Sequence, residues 1–100
     1  MSPRTVIAKI TSKPGQRDDA VRAFAPLVEA AACEPGTLTY RMYFDRKDES
    51  IIWFFEEYAD KVALESHMAS DVMRAVSAAV AEYLAAPPDM AFVQPALPGS

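Results

Sequence analysis

One cysteine, one histidine, one tryptophan and three glycines in 100 residues leave several kinds of chemistry without material. Cys33 is alone, so neither an intrachain disulfide nor a thiolate metal cluster is available. His67 by itself does not anchor a histidine-rich metal site, and no metal is expected. None of the glycines falls in a phosphate-cradling spacing. Positive charge is sparse. Arg46 and Lys47 are the only adjacent basic pair, and Asp45, Asp48 and Glu49 surround them. With a formal charge of −4, the chain lacks the clustered cations that neutralise phosphates, which argues against a nucleic-acid partner. No segment approaches the ~18 apolar residues of a membrane span, and MSPRTVIAKITSK has no apolar run of signal-peptide type. The expectation is a cytoplasmic protein with no membrane partner.

What is present is an apolar chain, 51% hydrophobic, of a length that suits one core. Thr5 to Thr11 alternates, with Val6, Ala8 and Ile10 on one face and Ile7, Lys9 and Thr11 on the other. Lys13-Pro14-Gly15 ends it in a turn. From Gln16 the period becomes helical, with Val21, Phe24, Val28 and Ala31 as the apolar stripe and Asp18 and Asp19 in the first turn, where the helix dipole favours them. Pro26 predicts a bend, but the stripe keeps its phase across it, so one helix is expected. Glu34-Pro35-Gly36 stops that helix.

Thr37 to Phe44 reads as the second strand, with Leu38, Tyr40, Met42 and Phe44 on one face. Asp45 to Glu49 has the length and polarity of a hairpin connection, and Ser50 to Tyr58 is the third strand. Asp60 and Ser70 are placed to cap two helices, Lys61 to Ala69 and a second carrying Val72, Met73, Val76, Val80 and Leu84. Pro87-Pro88 is expected to end the latter. Met90 to Gln94 reads as a last strand. The order β-α-β-β-α-β predicts an α+β, ferredoxin-like antiparallel sheet, with its second helical segment broken in two.

The third strand is apolar on both faces: Ile52 and Phe54 on one, Ile51, Trp53 and Phe55 on the other. Both faces therefore need cover. The helices can shield one side, and a second copy of the sheet is the simplest cover for the other. A homodimer is the expectation.

Three stretches carry a resemblance. Glu34-Pro35-Gly36-Thr37-Leu38-Thr39-Tyr40, then Phe55-Glu56-Glu57-Tyr58, then Ala63-Leu64-Glu65-Ser66-His67-Met68-Ala69-Ser70, in that order and spacing, resemble the antibiotic biosynthesis monooxygenase (ABM) family. The similarity covers about residues 4 to 95 as one domain, with 96 to 100 as a loose tail. It implies a dimeric α+β barrel with a pocket between sheet and helices in each subunit. It also implies oxidation of quinols or polycyclic phenols by molecular oxygen without metal, flavin or haem. There are departures: Tyr58 stands where many relatives have tryptophan, and Val72 where they have a second histidine. Ala8, His67 and Ser77 stand where the haem-degrading branch has its asparagine, tryptophan and iron-holding histidine, which argues against haem.

Triplet oxygen does not react directly with a closed-shell phenol, so such an enzyme needs a base, donors that hold the resulting anion, and a dry pocket. The resemblance puts His67 forward as the base. An imidazole of ordinary basicity falls ~3.5 pH units short of a phenol, so the pocket must stabilise the phenolate or the substrate must be a more acidic hydroquinone. Tyr40 and Tyr58 are candidate donors, and Arg41 only if its face lines the site. Phe54, Met68 and Met73 are candidate pocket walls, with core packing as the competing role. Glu56 matches the family's strand glutamate, placed to orient a base or to serve a structural ion pair. Two other functions stay open: a small-carbonyl isomerase on the same fold, similar to a processor of phosphorylated autoinducer-2, and a non-catalytic dimeric binding domain.

Overall fold

The computed structural model describes residues 3–97; the rest of the expected tail, 98–100, lies outside the described residues. The elements run β1 (Arg4–Thr11), α1 (Arg17–Ala31), β2 (Thr37–Phe44), β3 (Ile51–Tyr58), α2 (Lys61–Met68), α3 (Asp71–Val80), a short 3-10 turn (Ala81–Tyr83) and β4 (Asp89–Val93). The strands form one antiparallel sheet in the order β2-β3-β1-β4. This is the ferredoxin-like α+β arrangement, with the expected break between α2 and α3. Among the described residues no helix is long and apolar enough to cross a membrane.

Register decides which side chains meet. Across β1 and β3, Val6 faces Glu56, Ala8 faces Phe54 and Ile10 faces Ile52. Across β2 and β3, Tyr40 faces Glu56 and Met42 faces Phe54. These residues share the face on which α1 and α3 pack. The core there is Ala8, Ile10, Ile52 and Phe54 from the sheet, Ala20, Phe24 and Leu27 from α1, and Val76 and Val80 from α3. On the opposite face Ile7, Tyr43 and Val93 are exposed, while Trp53 and Phe55 are half-buried.

Three details differ from the sequence pattern, each for a local reason. Leu38 was expected beside Tyr40, but a β-bulge between Thr37 and Thr39 inserts a residue and breaks the alternation, leaving Leu38 62% exposed. The buried line of α1 is Ala20, Phe24, Leu27 and Ala31, so Val21 and Val28 flank the contact rather than centre it. Pro26 sits inside this helix on its exposed side, where the carbonyl it leaves unpaired is open to water. Finally, α3 ends at Val80, well before the proline pair. The end of β1 captures the chain there: Lys13 N–H donates to Tyr83 O at 2.8 Å and Ala85 N–H to Thr11 O at 2.9 Å. Leu84 thereby bridges to Ser12 in extended geometry instead of continuing the helix.

α2 is seated by a glycine. A Cβ on Gly36 would lie 2.4 Å from Ala63 Cβ, so the Glu34-Pro35-Gly36 turn and α2 approach as closely as they do only because position 36 has no side chain. Asp60 caps α2 by accepting from Ala63 N–H at 2.9 Å. Ser70 caps α3 by accepting from Met73 N–H at 3.2 Å, and its hydroxyl donates back to His67 O at 2.8 Å. The two caps fix the corner that carries His67.

Candidate active site

Between the sheet and the helices lies a cavity of about 430 Å³, within the range of small-molecule sites. Its floor is Ala8, Tyr40 and Phe54, α1 and Met73 of α3 form walls, and residues 84–88 run along one side. Ala8 opposite Phe54 leaves room that a larger residue would fill. Phe54 stacks edge-on against Phe24, with centroids 4.9 Å apart, and Tyr40 leans on Phe54 at 5.5 Å. The lining is apolar except for Tyr40, Ser77 and Glu56, and it includes no lysine, arginine or histidine.

Glu56 is the unusual member. It sits at the buried end of the central strand, 3% exposed, and its Oε1 accepts from the Tyr58 hydroxyl at 2.5 Å. Burial pushes its carboxyl above the ordinary range, while the Tyr58 hydrogen bond and the neighbouring His67 pull it down. Burial also raises both phenols, with the Glu56 charge adding to the effect, so Tyr40 and Tyr58 are neutral donors.

His67 lies behind this wall rather than on it. It is 1% exposed, with its ring 4.9 Å from Tyr40 and 5.4 Å from Tyr58. Its Nδ1 is 2.9 Å from Glu34 Oε1, which also accepts from Thr37 Oγ1 at 2.8 Å. A carboxylate accepts and cannot donate, so Nδ1 carries a proton and donates it to Glu34. Nε2 is buried and has no hydrogen-bond partner.

Of the side chains singled out from the sequence, Tyr40, Phe54 and Met73 meet at the cavity. Tyr58 reaches it through Glu56. His67 packs on the two tyrosine rings, and Met68 is outside the lining. Arg41 is on the other face, beside Phe55 in the register. Glu34 was visible only as part of a turn motif, and its role as the partner of His67 depends on a fold contact across 33 positions. Glu56 did leave a signal: a carboxylate in phase with Ile52 and Phe54 on β3.

Sheet, helices and cavity define a small ferredoxin-like α+β fold with a largely apolar cavity and, among the described residues, one buried carboxylate. The sequence profile of the antibiotic biosynthesis monooxygenase family matches residues 3–79, and the chain belongs to that family. Rv0793 from Mycobacterium tuberculosis superposes with a TM-score of 0.89 at 26% identity, over 99% of this chain and 100% of that one. PA3566 from Pseudomonas aeruginosa gives 0.88 at 27% identity, over 97% of each chain. An uncharacterised Synechocystis protein, sll1783, is 28% identical over 65% of this chain, which spans 44% of that protein's length.

Proposed function

We propose that this chain is a monooxygenase that oxidises a neutral quinol or polyhydroxylated aromatic with O2, needs no cofactor, and works as a homodimer. The observation that carries the reading is Glu56, a buried carboxylate on the wall of an otherwise apolar cavity beside the Tyr40 phenol. An aromatic ring placed between Phe54 and Met73, both on the cavity lining, would present its hydroxyl to Glu56, the carboxylate on that wall. Glu56 takes the hydroxyl proton, and Tyr40 donates a hydrogen bond to the phenolate oxygen. The phenolate passes one electron to O2, and the semiquinone and superoxide so formed join at a ring carbon. The peroxide then takes up a proton, its O–O bond breaks, and water leaves. For a simple hydroquinone the sum is one quinol and one O2 consumed, one hydroxylated quinone and one water formed. One oxygen atom ends on the ring and the other in water.

The dimer is supported by the sheet face that carries Ile7, Tyr43, Trp53, Phe55 and Val93, which no helix covers among the described residues. The isomerase alternative is less well supported, because a phosphorylated substrate would meet a carboxylate and no cation on the cavity wall.

An oxygen electrode with a panel of hydroquinones and aromatic polyketides is the test. Uptake is expected with at least one of them, none of it replaced by anaerobic turnover, and Glu56→Gln lowers it by roughly 10²-fold or more. Only the carboxylate form of Glu56 accepts a proton, so kcat/KM rises with pH through a midpoint above the ordinary glutamate value. Conversion without oxygen would give the site to an isomerase. Uptake undiminished in Glu56→Gln would remove the base from this scheme.

A further inference from the structure

The cavity has a closed end and an open one, and the oxygenase scheme uses only the first. Six of the residues on its lining are exposed: Ser77 and Ala81 at α3 and just beyond it, and Ala85, Ala86, Pro87 and Pro88 on the segment that leads to β4. A side chain that lines a chamber and also meets bulk water marks the place where the two join. Every other lining residue is buried or half-buried. The mouth is therefore confined to the gap between α3 and this segment.

Register measures how far the mouth lies from the carboxylate. Glu56 stands opposite Val6 of β1, whereas Ala85 N–H donates to Thr11 O at 2.9 Å and Asp89 pairs with Lys9. The segment is thus anchored three to five residues further along β1, a distance of about 10–17 Å, and on the opposite side of that strand from β3. Tyr40, which faces Glu56, shares the closed end. Ala8, opposite both Phe54 and Met90, lies between the two ends. The segment is also stiff. Pro87 and Pro88 fix their own φ, and each restricts the residue before it, so Ala86 and Pro87 are held extended. Both ends of the segment are tied to β1 by backbone pairing. It is a threshold of set shape and not a flap.

We propose that substrate enters end-on through this gap, and that the rim made by Ser77 and by residues 85–88 sets how fast a given cross-section passes. The proposal deepens the oxygenase reading and rests on it for the kind of molecule admitted. Because Glu56 is at the closed end, the hydroxyl to be deprotonated leads and the far side of the ring system trails. Bulk beside the leading hydroxyl must cross the rim and is slowed there. Bulk on the trailing side stays at the mouth and projects into water. The six rim residues carry no charge and a single hydroxyl, that of Ser77, so the rim discriminates by shape.

A doorway alters the barrier and leaves the bound state alone, so it changes entry and exit by the same factor. Naphthalene and benzene are the probes, since neither has a hydroxyl to lose, and exchange NMR at the amide signals of Ala8 and Phe54 follows both. In Ser77→Phe/Ala86→Phe, naphthalene is expected to enter and leave about tenfold more slowly, with Kd changed less than about twofold. Benzene, being narrower, is expected to be slowed less. Pro87→Gly/Pro88→Gly removes the stiffness and is expected to speed both naphthalene rates together. Naphthalene rates unchanged in both variants overturn the doorway. So does a Kd that shifts while the association rate stays put, which would make the rim part of the binding surface, and so does failure of naphthalene to bind the wild type. Neither probe is a quinol, so absence of oxygen uptake across the hydroquinone panel would count against the oxygenase reading without altering this result.

Discussion

The two faces of β3 are nearly equal in composition and opposite in circumstance. Ile52, Phe54, Glu56 and Tyr58 are all buried under the helices, whereas on the reverse Trp53, Phe55 and Glu57 are only partly covered. The covered face tolerates a carboxylate because it has built a hydrogen bond and a cavity around it. The open face has a polar pair at the same end, Glu57 accepting from Thr39 Oγ1 at 2.8 Å, but no enclosure. Hydrophobicity therefore says that a face will be covered. It does not say whether the cover makes a site.

Substitutions sharpen this contrast, beginning with the largest. Phe54→Ala removes the ring at the junction of Phe24 and Tyr40 and should cost about 3–5 kcal/mol in urea unfolding, independent of protein concentration. On the open face, Ile7→Asp is expected to leave the subunit folded while halving the sedimenting mass from twice 11.0 kDa. An 11.0 kDa wild-type species at micromolar concentration would remove the second copy from the scheme.

Gly36→Ala tests the seat of α2. The added methyl overlaps Ala63, and overpacking of this kind costs about 1–3 kcal/mol. The loss lies within the subunit and should not depend on protein concentration, unlike the effect of Ile7→Asp. The smallest effect has the opposite sign. Glu56 binds its proton more tightly folded than unfolded, so its contribution to stability is full below the ordinary glutamate value and is lost as pH rises through the raised one. Glu56→Gln should therefore match the wild type in acid and exceed it near neutrality, read as a higher Tm there. A neutral-pH Tm below the wild type would mean that the carboxylate is paired better than its surroundings indicate.

Much of the fold was legible in the sequence because it rests on local alternation. Val6, Ala8 and Ile10 point one way, and Asp60 and Ser70 cap as their positions suggest. The bulge at Leu38 was not legible, since a doubled residue leaves the composition of a strand unchanged. Nor was the early end of α3, which is decided by hydrogen bonds from β1 to Tyr83 and Ala85 rather than by the helix's own residues. The site was legible as a list more than as a geometry. Tyr40, Phe54 and Met73 could be gathered from strand phase and helical stripe. The division between Glu56 on the wall and His67 behind it could not, because both are buried and the seat of α2 rests on tertiary contacts, Gly36 against Ala63 and His67 to Glu34.

Trp53 is the sole indole in the chain. It stands on the uncovered side of the sheet, with its Nε1–H donating to Asp45 Oδ1 at 2.9 Å and Lys9 Nζ 5.9 Å above the ring. Every aromatic side chain on the cavity lining is a phenylalanine or a tyrosine. Selective excitation of the indole consequently interrogates one side of the protein alone: in the proposed dimer its emission would report subunits parting on dilution, and occupancy of the chamber across the sheet would be read from tyrosine.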